Sequence, residues 1–378
     1  MSSVFINVLK RPLFESFSNL ACAAEKDEAI KAYASFVSEI YKNGASLTDY
    51  VCRLIFEDEN VYVKSRAHSK TVNKNIVDSL KHELECFSEF ASLTPDDFKQ
   101  LTGCEYLSPF DSKRADIYKL YEKRIKNIDK FGYGIFSSYG MFRLSDNKEI
   151  EPIISADKIS MSSFVGYEEE RSKVVANTKA FIEGRPAANT LLCGDAGTGK
   201  SSTVKAVANM FFDEGIRLIE LRKDQLSALP SVMAKISENP LKFIIFIDDL
   251  SFNQNDDNFS MLKAALEGSA SATADNAVIY ATSNRRHIIK ESFGERDGDD
   301  VHRNDTVQET LSLSERFGLT VLFQKPDKKL YLEIVHELAG RNNIQKDKNE
   351  LDIEAEAFAL RRGNRSARCA EQFIESLM

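Results

Sequence analysis

The sequence predicts an α/β core on a largely parallel sheet, with a helical domain before it and a small helical lid after it. Three observations carry that prediction. Between about residues 155 and 325, short apolar runs alternate with helical patterns: TLLCG, IRLIEL, FIIFIDDL, AVIYATS and LTVLF, with STVKAVANMFF and FSMLKAALEG among them. Ahead of them only apolar stripes at helical spacing occur, and after Lys325-Pro326 only helical patterns follow. Strands that alternate with helices build βαβ units and hence a parallel sheet. The predicted boundaries are a helical N-terminal domain over 1–130, a β-hairpin linker over 131–155, the α/β core over 156–325 and the lid over 326–378.

In the N-terminal domain, Ile30, Tyr33, Val37, Ile40 and Tyr41 share one helical face, and Gly44 stands where that helix would stop. Val72, Ile76, Val77, Leu80, Leu84 and Phe87 form a second stripe, and Ile117, Leu120, Tyr121, Ile125 and Ile128 another. Between them Thr94-Pro95 opens a helix with an N-cap residue and a proline in the first turn. Such stripes are core-facing surfaces. Near Gly132 the texture changes to GYGIFSSYGMFRLSDNKEIEPII, whose glycines, aromatics and Asp146-Asn147 turn predict a short hairpin between domains. In the lid, Leu330, Tyr331, Ile334, Val335 and Leu338 form one face, and Ala367, Ala370, Phe373, Ile374 and Leu377 another.

Composition narrows the function classes. The chain has 378 residues, 43% hydrophobic and 29% charged, with a net charge of −8. This acidity argues against a protein that coats nucleic acid, although a local basic patch stays open. No apolar run approaches the ~18 residues of a membrane helix, and no signal peptide is read at the N-terminus. The six cysteines include no CxxC pair and are expected to be reduced thiols in a cytoplasmic protein.

The decisive motif is GDAGTGKS at residues 194–201, a G-x-x-x-x-G-K-[ST] loop between a buried-strand pattern and a helix pattern. That strand–loop–helix setting is what phosphate binding needs. Gly194, Gly197 and Gly199 let the backbone wrap the phosphates, with Asp195, Ala196 and Thr198 between them and Ser202 just beyond. Lys200 supplies a point charge to the β- and γ-phosphates, and the Ser201 hydroxyl is placed to ligate Mg²⁺. FIIFIDDL then ends an apolar strand in Asp248 and Asp249, at the edge where open α/β sheets bind ligands. Asp248 is the second candidate for Mg²⁺, and Asp249 the candidate to polarise an attacking water.

With these motifs in this order, the chain resembles AAA+ ATPases. The resemblance implies that Asn284, ending AVIYATSN, is the sensor-1 residue on the γ-phosphate or the lytic water. It implies that Arg316 in SLSERFGL is an arginine finger offered to a neighbouring subunit, and hence a homo-oligomer. In RRGNRSARCAEQFI it implies a sensor-2 arginine; Arg365 keeps the R-x-A order but sits one residue short of the usual spacing, and Arg368 is the alternative. Val165, Gly166 and Tyr167 in FVGYEEE fall where the adenine pocket is lined. The segments NTKAFIEGRPAANTLLCGDAGTGKSS, FIDDLSF, ALEG, YATSNRRH and SLSERFGL resemble more closely the bacterial ATP-binding family called domain of unknown function 815, over roughly residues 130–378.

The function these residues predict is binding of ATP and ADP with Mg²⁺, and hydrolysis that drives remodelling or loading of an unidentified protein partner. The family's usual Asp-Glu pair is Asp-Asp here, which makes slow turnover an expectation. Two other readings stay open: a nucleotide-gated binding module with little hydrolysis, and a nucleic-acid-dependent ATPase of the helicase-loader kind. The charged segment 293–310 reads as a solvated loop, and Arg285, Arg286 and His287 as a charged turn or a contact to DNA or phosphates.

Overall fold

The computed structural model describes residues 3–250, 257–266, 274–284 and 316–378. The chain divides into two compact units, Met1–Ser138 and Tyr139–Met378.

The first unit is helical, with helices over Pro12–Ala21, Lys26–Lys42, Leu47–Phe56, Val61–Ala67, Lys74–Ala91 and Ile117–Lys126. Three of these, at 12–21, 47–56 and 61–67, go unnamed in the sequence reading. The helix over Lys26–Lys42 buries Ala29, Tyr33, Phe36, Val37 and Ile40. Ile30 and Tyr41, predicted on that face, are exposed at 38% and 48%; Phe36 takes their place and packs against Phe17, Phe90 and Phe98. Thr94 caps the expected helix start and forms a capping box with Asp97, but the first turn is 3₁₀ and the α-helix after it only Lys99–Thr102. The Glu83 carboxylate accepts the N–H groups of Ser3, Val4 and Phe5, which ties down the start of the described chain.

The second unit is built on one seven-stranded sheet: β1 (Met141–Leu144), β2 (Ile150–Pro152), β3 (Thr190–Gly194), β4 (Ile216–Leu221), β5 (Lys242–Ile247), β6 (Ala277–Ser283) and β7 (Leu319–Phe323). Their order is β2-β1-β4-β5-β6-β3-β7, and every pair is parallel except β1 with β2. β3 and β5 are near-continuous apolar runs because both faces of a parallel strand are covered. The predicted hairpin exists. β1 pairs with β4 and extends the sheet at its edge, and Met141, Phe142 and Leu144 give it buried side chains to contribute.

The chain leaves β3 for β4 on one side, whereas β6 crosses β3 to reach β7 on the other. This puts the reversal of winding between β6 and β3, the position where open α/β sheets bind ligands at their carboxyl ends.

The lid consists of helices over Lys328–Arg341, Lys348–Arg362 and Ala367–Glu375, with a separate core around Tyr331, Val335, Ala355 and Phe373. The middle helix is not singled out in the sequence reading. Asp327, Asp347 and Ser366 cap the three N-termini with side-chain hydrogen bonds. Gly363, at φ +67°, stops the middle helix.

Candidate nucleotide site

The loop after β3 is glycine-bound for physical reasons. Gly194 has φ +134°, and a Cβ there would lie 2.0 Å from the carbonyl oxygen of Phe323 on β7. No side chain fits between two strands that close. Gly197 and Gly199 also have positive φ, at +76° and +87°. The N–H groups of Ala196, Gly197, Thr198 and Gly199 donate to no other group among the described residues. A run of free donors opening the Lys200–Met210 helix is the arrangement that accepts phosphate oxygens.

Lys200 is 5% exposed, and its Nζ donates to the carbonyls of Gly194 (3.1 Å) and Asp195 (2.7 Å) and to Asn284 Oδ1 (2.9 Å). Burial lowers its pKa, against the pull of Asp195, Cys193, Asp248 and Asp249. The other end of the Asn284 amide donates to Asp249 Oδ1 at 2.9 Å. Only this orientation satisfies both neighbours, because lysine has no acceptor and an ionised carboxylate no donor.

Asp248 Oδ1 accepts from Ser201 Oγ at 2.6 Å and from Thr282 Oγ1 at 2.5 Å. The same Thr282 oxygen accepts the backbone N–H of Asp249 at 3.0 Å. Asp249 itself stands in the left-handed region, at φ +51°. This conformation costs a non-glycine residue about 1–2 kcal/mol. Ser201, Asp248, Asp249, Thr282 and Asn284 line one cavity of about 190 Å³ with the phosphate loop. Its oxygen donors suit a hard divalent cation such as Mg²⁺, with Ser201 and Asp248 as the residues to hold it.

A second cavity, about 120 Å³, runs from the loop toward the lid and includes Phe164, Val165, Ile334 and Leu338. Gly166 has φ +70°, and a Cβ there would meet Leu330 at 2.6 Å. Tyr167 does not line the cavity; it packs on Phe323 at 5.4 Å between ring centroids and donates to the Gln324 carbonyl at 2.6 Å.

The two candidate sensor-2 arginines stand in different surroundings. Arg365 forms a two-armed ion pair with Glu356 (2.9 and 2.7 Å) and lines neither cavity. Arg368 lines both, and its N–H donates to Gly197 O at 3.3 Å. Gly363 and the Ser366 cap explain the exchange: they leave Arg365 in the turn and put Arg368 in the first turn of the helix facing the loop. Arg316 lies just ahead of β7, is half-buried and lines neither cavity. Arg285, Arg286, His287, the 293–310 segment and the first residues of SLSERFGL lie outside the described residues.

Thr282 and Arg171 also reach the site and are not among the predicted residues. Thr282 stands two residues before Asn284, which directly follows β6, so period-2 alternation puts both on one face. Arg171 follows three glutamates, where a solvated helix start is the ordinary reading.

Strand order, glycine loop and paired acids at the winding reversal define an AAA+ P-loop nucleotide-binding fold. More narrowly, the chain belongs to the family described as "Protein of unknown function (DUF815)", which matches residues 137–378. No curated protein sequence matches it significantly. Among solved structures it is similar to the Thermotoga maritima RuvB Holliday junction branch migration motor, at 14% identity and TM-score 0.35, over 58% of this chain and 72% of that one. A point variant of the same motor gives 15% identity and TM-score 0.36 over the same shares. Among the described residues no helix is long and apolar enough to cross a membrane.

Proposed function

We propose that this protein binds ATP with Mg²⁺ and hydrolyses it, using the energy to remodel or load a macromolecular partner as an oligomer. The observation that carries the reading is the chain of contacts Lys200–Asn284–Asp249, beside Ser201–Asp248, at the carboxyl edge of β3, β5 and β6. It joins a phosphate-binding cation, a polar sensor and a carboxylate base within hydrogen-bond reach of one another.

In this reading Lys200 and the loop N–H groups hold the β- and γ-phosphates. Asp249 orients a water whose oxygen attacks the γ-phosphorus as the bond to the β–γ bridging oxygen breaks and ADP leaves. Ser201 and Asp248 would hold Mg²⁺, which when bound would supply charge neutralisation on the phosphates. Arg368 takes the sensor-2 role, and Arg316 serves a neighbouring subunit's site. Oligomerisation and partner remodelling rest on this assignment of Arg316 and on the fold class.

A second reading, a nucleotide-gated module with little turnover, is favoured by one observation. Asp249 is shorter than the usual glutamate, and its Oδ1 already accepts from Asn284. Mg²⁺-dependent phosphate release by the full chain and by Asp249→Asn tests both. Hydrolysis by the unsubstituted chain that the substitution abolishes supports the first reading. ATP binding without measurable turnover in either supports the second.

A further inference from the structure

Arg171, on the helix Glu168–Ile182, is 6% exposed. Its guanidinium stacks on Phe164, 4.4 Å from the ring centroid, and Nη1 donates to the Gly166 carbonyl. Nε is buried and has no partner, and among the described residues the group forms no ion pair. Burial lowers its pKa, with Glu168, Tyr167 and Glu170 opposing. A buried cation of this kind is costly unless something pairs with it.

The free edge has a direction. A guanidinium presents its donors in forks, and Nε with Nη2 forms one of them. A Cβ placed on Gly199 would meet only Arg171 Nη2, at 3.9 Å. Arg171 lines the smaller cavity, with apolar Val165, Ile334 and Leu338 and with the phosphate loop at Gly197 and Ser202. An apolar pocket at one end and the phosphate loop at the other leave the α-phosphate of a nucleotide between them.

We infer that Arg171 binds the α-phosphate of the nucleotide through its Nε–Nη2 edge. This rests on the nucleotide reading of the site and adds to it a residue that reads the phosphate nearest the base, independently of Lys200. The stacking on Phe164 and the bond to Gly166 hold the fork in place, so little side-chain freedom is lost on binding.

The test compares AMP with adenosine, which differ only in the α-phosphate, by calorimetric titration of the full chain; ADP titration reports the site itself. Unsubstituted protein should prefer AMP, and Arg171→Gln should reduce that preference about tenfold or more, the usual worth of a charge-assisted fork. Arg171→Lys, which keeps the charge and loses the fork, should fall between. An unchanged AMP-to-adenosine ratio in Arg171→Gln, with ADP still bound, overturns the inference and leaves the nucleotide reading standing. Equal loss of AMP and adenosine also overturns it, because Arg171 then only props the 164–166 segment. Failure of the unsubstituted chain to bind ADP contradicts the nucleotide reading itself, and the inference with it.

Discussion

Thr282 Oγ1 lies 2.5 Å from Asp248 Oδ1, so a residue of β6 fixes the acid that ends β5. Through its second contact, to the N–H of Asp249, the same hydroxyl steadies a residue held at φ +51°. Thr282→Val keeps the shape and removes both bonds. It should lower kcat for ATP by about tenfold to a hundredfold, with a smaller change in KM, since bonds to charged groups are worth about 1.5–3 kcal/mol. Thr282→Ser should recover most of the loss. Steady-state kinetics on the two variants check this, and equal kcat in Thr282→Val and the unsubstituted chain would refute it.

The glycine loop gives a stability prediction. Gly194→Ala drives a methyl group into the Phe323 carbonyl, so it should cost about 3 kcal/mol or more, or prevent folding. At Gly184, where φ is +69° and nothing lies within 4 Å of a built Cβ, alanine pays only the backbone strain. That is about 1–2 kcal/mol. Urea denaturation of the two variants should rank them in that order.

Two arginines three residues apart should behave differently. Arg368→Ala removes a side chain that lines both cavities and should weaken ATP binding or turnover by roughly tenfold. Arg365→Ala breaks a partly exposed pair with Glu356 and should cost about 1 kcal/mol or less of stability, with nucleotide affinity unchanged. Titration of both variants with ADP and ATP separates the roles, and a larger affinity loss in Arg365→Ala would reverse the assignment.

The core was legible because its signals are local. The phosphate loop, the apolar strands and the acids at the end of β5 each announce themselves within ten residues, and their order fixes the class. What escaped depends on tertiary geometry. Thr282 looks like any strand threonine until β5 lies beside β6, and Arg171 looks solvated until Phe164 and the loop close over it. Arg365 kept the R-x-A order, but Gly363 and Ser366 set where the last helix begins. The hairpin was visible as a hairpin; that β1 pairs with β4 requires two segments 77 residues apart in sequence, as in Met141 with Leu218.

The assignment of Arg316 predicts a site shared between subunits. Lys200→Ala and Arg316→Ala should each be nearly inactive, because a finger on the γ-phosphate is worth about 10³ or more in rate. Mixing the two, once exchange is shown by co-purification of differently tagged chains, should restore part of the hydrolysis. Full activity in Arg316→Ala alone would remove Arg316 from the mechanism.

The most direct measurement is the melting temperature of the full chain with and without Mg²⁺–ATP, in parallel with Lys200→Ala compared against its own nucleotide-free value. At about a hundredfold excess over Kd, binding adds about 2.7 kcal/mol, an upward shift of roughly 5–10 °C for a unit of this size. That shift in the unsubstituted chain, and its loss in Lys200→Ala, is the predicted result. No shift in the unsubstituted chain, or an equal shift in the variant, would contradict the nucleotide site built on Lys200.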